Sequence, residues 1–155
     1  MNKKREETNM PKLIYLASPA TTWTSGLDEE SRDRVLELRG IAATYAKRRL
    51  MNEGRMVYSP VLYWTLPFLY EIMQHNDWPH ERVMDHCYTM LERSDVLFVL
   101  ELPGWKESSG IAQEMAWAQE ANMSKSHIFP GRYVPQDILE ELDEHLDKRN
   151  PWLGV

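Results

Sequence analysis

Three observations predict a doubly wound α/β layer fold, built on a mainly parallel sheet of four to five strands. Short apolar runs alternate along the chain with longer segments of helical periodicity. The runs Leu13–Ala17 and Val96–Leu100 carry no charged residue, the pattern of strands buried on both faces of a parallel sheet. Turn-forming residues stop these runs, as in Ser18-Pro19, Pro60 and Pro103-Gly104.

The elements follow in order. Residues 1–11 are polar and mixed in charge, and read as a flexible tail ahead of a single domain over 12–155. Leu13–Ala17 is the first strand. Ser18 to Gly26 is a loop by its Ser, Thr, Pro and Gly content. Asp28 to Met51 reads as a helix, because Val35, Leu36, Ile41, Ala42, Tyr45 and Leu50 form an apolar stripe, and Gly54 closes it. Met56 to Ser59 is a second strand. Thr65 to His75 and Pro79 to Arg93 read as helices, the latter entered through its proline and facing inward with Val83, Cys87, Met90 and Leu91. Asp95 to Leu100 is the third strand, Ser109 to Ala121 a helix, and His127-Ile-Phe a short fourth strand. Val134 to Lys148 is an acidic amphipathic helix with Ile138, Leu139, Leu142 and Leu146 on its apolar side. The end, Asn150-Pro-Trp-Leu-Gly-Val, is apolar enough to dock on its own domain or on a neighbour.

Charge and composition narrow the function. A net charge of −6 over 155 residues argues against a duplex-DNA binder, which needs a basic footprint, but leaves room for a small anionic ligand in a local pocket. The single cysteine, Cys87, fits a reducing cytoplasm and reads as a small buried apolar residue. No secretory leader and no run long enough to span a membrane is expected. The five histidines are scattered, and His80 and His86 are six apart, so they do not stack as a metal pair would. No metal and no cofactor is expected.

The segment from Ser94 to Glu114 carries the chemistry. An apolar strand ends in Pro103-Gly104, Ser108-Ser109-Gly110 opens a helix, and Glu114 falls one turn inside it. A helix N-terminus attracts anions through its unpaired N–H groups and its positive dipole end. A carboxylate one turn further along reaches whatever the anion is attached to. Ligands of such folds bind beyond the carboxyl ends of the strands, which here means loops 18–26, 59–64 and 101–109. Each candidate also has a plainer role. Glu114 borders the stripe of Ile111, Met115 and Ala118 and could be a solvated helix glutamate. Ser108 and Ser109 could cap the helix. Gly110 either lets a ligand approach or merely starts the helix loosely. Ser18-Pro19 is a strand-ending turn or a ligand contact. Asp95 reads more simply as a cap on the preceding turn, and Tyr15 as core. Trp105 and Trp64 could cover a base or simply pack.

With these residues in place, the chain resembles the nucleoside 2-deoxyribosyltransferase superfamily, which includes nucleoside 5′-monophosphate N-glycosidases. The resemblance rests on Ile14-Tyr-Leu-Ala-Ser-Pro19, on Gly54-x-x-Val57-Tyr-Ser-Pro60, on Ser94-Asp95 with the strand after it, and on Ser108-x-Gly110-x-x-x-Glu114. It is closest to an uncharacterised, often phage-encoded branch that shares the Leu-Ala-Ser-Pro start and the Gly-Trp-x-x-Ser-x-Gly loop. It implies a flavodoxin-like (Rossmann-like) fold and cleavage of an N-glycosidic bond; the acidic charge and short apolar runs add that neither nucleic acid nor membrane is an expected partner. By position Glu114 would be the nucleophile, Ser108 and Gly110 would help hold the 5′-phosphate, and Tyr15, Ala17 and Ser18 would line the floor under the nucleobase and sugar. Pro19, Ser59, Ser109 and Trp105 join them as candidate substrate contacts by their places in the loops. The resemblance also implies a homodimer or larger homo-oligomer, with Asn122 and Met123 placed to reach a neighbour's pocket.

The sequence departs from that pattern at one place. Relatives carry an acid-supplying Asp eight residues before the Asp that starts the third strand, and here that position is Cys87. Asp85 lies two residues earlier, about 200° around an ideal helix. The register slips, or Asp95 serves, or the acid is missing. The chemistry itself is that of a retaining glycosidase: a carboxylate attacks C1′, and water or a second base releases the sugar. The remaining readings are a transferase acting on free nucleosides and a catalytically silent nucleotide-binding module.

Overall fold

The computed structural model describes residues 12–61 and 80–147. Four strands form one all-parallel sheet in the order β2-β1-β3-β4, with β1 at Leu13–Ala17, β2 at Met56–Tyr58, β3 at Val96–Leu100 and β4 at Ser124–Ile128. The register pairs Tyr15 with Tyr58 on one side of β1 and with Leu97 on the other. Helices α1 (Glu29–Asn52), α2 (His80–Glu92), α3 (Ser109–Glu120) and α4 (Gln136–Asp147) flank the sheet. The architecture is α/β and consistent with a flavodoxin-like doubly wound fold. The expected helix over 65–75 lies outside the described residues.

The alternation of side chains along each strand divides the core into two layers. Ile14, Leu16, Phe98 and Leu100 point to one face, where Val35, Leu38, Ala42, Ala46 and Leu50 of α1 and Leu142 and Leu146 of α4 cover them. Tyr15, Ala17, Leu97 and Val99 point to the other, beneath Leu91 of α2 and Ile111 and Ala118 of α3. The Arg34 guanidinium, bonded through two nitrogens to the Glu141 carboxylate, ties α1 to α4 at the surface.

Helix ends are set locally. Asp28 caps α1 by accepting from the Ser31 N–H at 2.7 Å. Gly54, at φ +85°, closes the helix, with its N–H donating to Met51 and that of Arg55 to Leu50. One expectation needs correction. The fourth strand begins at Ser124, three residues before the apolar signal at His127. It is an edge strand whose first four residues are exposed, so no buried face imposes an apolar pattern.

Candidate active site

The chain leaves β1 toward α1 on one face of the sheet and leaves β3 toward α3 on the other. Because β1 and β3 are adjacent, their two exits diverge and open a crevice at the carboxyl ends of the strands. Loops 18–28 and 101–108 form its walls.

A single buried cation ties those walls together. Arg39 of α1 is fully buried and donates to the carbonyl of Ala20 in one loop and, at 3.1 Å, to that of Pro103 in the other. Its Nε finds no partner, and burial pulls its pKa down to about 10. Gly104 must be glycine: its φ is +92°, and a Cβ there would sit 3.2 Å from the Arg39 guanidinium and 3.3 Å from the Trp23 ring. Trp23 itself has φ +67°, a conformation that a bulky side chain rarely adopts. The sequence reading missed Arg39. Its signal was position: it falls four residues after Val35 and three before Ala42, inside the apolar stripe.

Glu114 of α3 is buried, at 8 % exposure, and faces the sheet rather than solvent. Burial pushes its pKa up to about 7, partly opposed by the Tyr15 phenol. Tyr15 of β1 is fully buried. Its hydroxyl makes no hydrogen bond of acceptable geometry, yet Glu114 and Cys87 lie close enough to act on its titration. Burial and both neighbours raise the phenol pKa, burial most. The Cys87 thiol of α2 is also pushed up, chiefly by burial. Three elements therefore bring a carboxyl, a phenol and a thiol together beneath the crevice.

Two more buried hydroxyls stand nearby in the fold. Ser18 follows β1 and Ser59 follows β2, and the Oγ of each is buried without a partner. With the Tyr15 hydroxyl, these are three unsatisfied polar atoms on or just beyond two adjacent strands, where buried polar groups are ordinarily paired. Ala17 and Pro19 are buried beside them.

At the mouth of α3, Ser108 is buried and its Oγ accepts from the Ile111 N–H at 3.3 Å, so it caps the helix. Ser109 is exposed. Among the described residues, a Cβ on Gly110 would meet only Ser108 Oγ, at 3.9 Å, so their packing does not require glycine there.

The structure separates the other expected residues from this group. Asp95 lies at the amino end of β3, where its carboxylate accepts from the Leu13 N–H at 2.7 Å and its own N–H donates to the Leu13 carbonyl. It fastens β1 to β3 at their amino ends, away from the carboxyl ends where the crevice opens, which is the structural role its place in the sequence also offered. Asp85 is exposed on α2, about 200° around the helix from the inward-facing Cys87. Trp105 packs its ring on His127 of β4 at 5.1 Å, with Lys106 over it, on the β4 side of β3 rather than the β1 side where Tyr15 lies. Asn122 and Met123, with Ile111, Met115 and Trp105, line a groove of about 760 Å³ along α3, outside the crevice. No group of three or more potential metal ligands is assembled among the described residues. None of the helices among the described residues is long and apolar enough to cross a membrane.

The family model described as "Domain of unknown function (DUF1937)" matches residues 12–128. The chain belongs to this family. Among curated proteins none matches it. The stretch matched to DUF1937 runs from β1 to the end of β4, so it contains both walls of the crevice, Arg39, Tyr15, Cys87 and Glu114. Helix α4 lies beyond it.

Proposed function

We propose that the protein cleaves the N-glycosidic bond of a 2′-deoxynucleoside 5′-monophosphate, by hydrolysis or by base exchange, with Glu114 as nucleophile. The observation that carries this reading is the Glu114 carboxyl, buried one turn inside α3 with a pKa near 7 beside a buried phenol. Perturbed carboxyls of this kind concentrate where catalysis needs them. Glu114 attacks C1′ as the bond to the base breaks, and its charge offsets the oxocarbenium character of the transition state. Water or a second base then displaces the carboxylate from C1′, restoring Glu114. The absence of a 2′-hydroxyl favours such a cationic transition state. The resemblance to the deoxyribosyltransferase superfamily supports the same roles.

The orphaned Ser18, Ser59 and Tyr15 hydroxyls support a polar ligand over the ends of β1 and β2. The open space at Gly110, at the positive end of α3, supports a phosphate there. Ser108 Oγ accepts the Ile111 N–H and keeps its own O–H to donate to a phosphate; if it serves only as that cap, free nucleosides stand as the second reading of substrate. We also place the protein in the cytoplasm as a homo-oligomer, its lone cysteine and the groove along α3 being the supporting features.

The test is chromatographic assay of wild type and Glu114→Ala against the common deoxynucleoside monophosphates and nucleosides, with and without an acceptor base. Base release by wild type should fall by about a thousandfold or more in the variant. No release from any substrate, or equal release by both proteins, would refute it. Binding without turnover would mark a silent nucleotide-binding module.

A further inference from the structure

Departure of a base requires a proton, and the expected donors are elsewhere: Asp85 faces solvent, Asp95 fastens the amino ends of β1 and β3, and Cys87 is a buried thiol. One pair is suitably placed. Tyr58 is the last residue of β2, sits opposite Tyr15 in the ladder, and packs its ring on the Tyr15 ring at 5.6 Å. It is half-buried, and the residue after it is Ser59, whose buried Oγ is unpartnered. The Tyr58 hydroxyl lies 2.9 Å from Nε2 of His86, an exposed residue of α2, with the two rings edge to face at 6.2 Å. The phenol thus stands beside Tyr15 at the carboxyl end of β2, while the imidazole is exposed.

Building on the N-glycosidic reading above, we propose that Tyr58 protonates the departing base and is itself reprotonated by His86. As C1′–N breaks, its electron pair stays with the base, and an oxygen of Glu114 bonds to C1′. The Tyr58 O–H proton passes to a ring nitrogen of the base. The Nε2 proton of the His86 imidazolium passes to the Tyr58 oxygen. The resulting neutral imidazole regains a proton from solvent, so the pair returns to its starting state. Tyr58 touches the substrate and is a catalytic residue; His86 acts through it as a relay.

The experiment compares wild type, Tyr58→Phe and His86→Gln on two substrates. One is the natural deoxynucleoside monophosphate that wild type cleaves fastest. The other is the 4-nitrophenyl 2-deoxyriboside 5-phosphate, whose leaving group departs as a stable anion without a proton. Tyr58→Phe should lower kcat on the nucleotide by about a hundredfold or more, the usual range for loss of a general acid, and on the nitrophenyl substrate by less than about threefold. His86→Gln should show the same selectivity with a smaller loss. Equal losses on both substrates, or no loss on either, would overturn the relay while leaving Glu114 chemistry intact. No release from either substrate by wild type would overturn the N-glycosidic reading and the relay together. If Tyr58→Phe melts early, His86→Gln, at an exposed position, decides alone.

Discussion

The two ends of the β1–β3 pair are built in opposite ways. At the amino end, the polar group that the fold half-buries is put to structural use: the Asp95 carboxylate takes the Leu13 N–H, and the return bond runs from the Asp95 N–H to the Leu13 carbonyl. Toward the carboxyl end, and at the end of the adjoining β2, the fold buries a glutamate, a tyrosine hydroxyl and two serine hydroxyls, three of these groups without a partner. It also holds a tryptophan at positive φ and a fully buried arginine under a glycine. Each of these features costs stability. Their concentration toward one end of the sheet argues that the end is kept for a ligand, whereas the other end is kept for the fold.

The contrast can be broken most directly at Glu114. Its pKa is raised from 4.5 to about 7 in the folded chain. A raised value means the stability associated with the neutral form is complete below 4.5 and lost as pH rises toward about 7. That loss is about 3 kcal/mol, at about 1.4 kcal/mol per pH unit. Glu114→Gln does not titrate, so in urea unfolding it should gain on wild type by about that amount between pH 4.5 and pH 8, while losing activity. An unchanged difference between the two pH values would mean Glu114 is not buried as described. For wild type, kcat/KM should rise with pH along a limb near 7, because only the carboxylate attacks C1′.

The opposite end should respond in the opposite sense. Asp95→Ala leaves the Leu13 N–H without its acceptor and should cost about 1–3 kcal/mol, read by the same unfolding method. Base release per folded molecule should stay unchanged; a selective loss of kcat would return Asp95 to the catalytic set. The smallest effect belongs to Ser59→Ala. Its hydroxyl is buried without a partner, so removal should be neutral or stabilising by up to about 1 kcal/mol, yet should weaken binding of the nucleotide. A clear loss of stability would show that the hydroxyl serves the fold.

The parts of this arrangement that could be read from sequence are those written in local pattern. β1 and β3 are apolar because both their faces are buried, and Glu114 announces itself by its distance from the Ser108-Ser109-Gly110 helix start. β4 was less legible because its exposed edge imposes no apolar pattern before Ile128. Asp95 was ambiguous for a physical reason: its partly buried position at a strand start is equally a property of structural and catalytic carboxylates, and only the third dimension shows the Leu13 N–H that it holds. Arg39 was hidden among the other basic residues of its helix, although its place in the apolar stripe marked it. The Tyr58–His86 pair had no local signature at all, since its members lie 28 residues apart and meet only once α2 packs beside β2.

In the proposed reaction Glu114 becomes covalently joined to the sugar. Wild-type protein mixed with the nucleotide it cleaves, quenched in acid within milliseconds to seconds and digested, should yield the peptide containing Glu114 with a mass increase equal to a 2-deoxyribose 5-phosphate residue. The Glu114→Gln protein should yield none. Base release by wild type with no adduct at any quench time, or an adduct on another residue, would contradict the account.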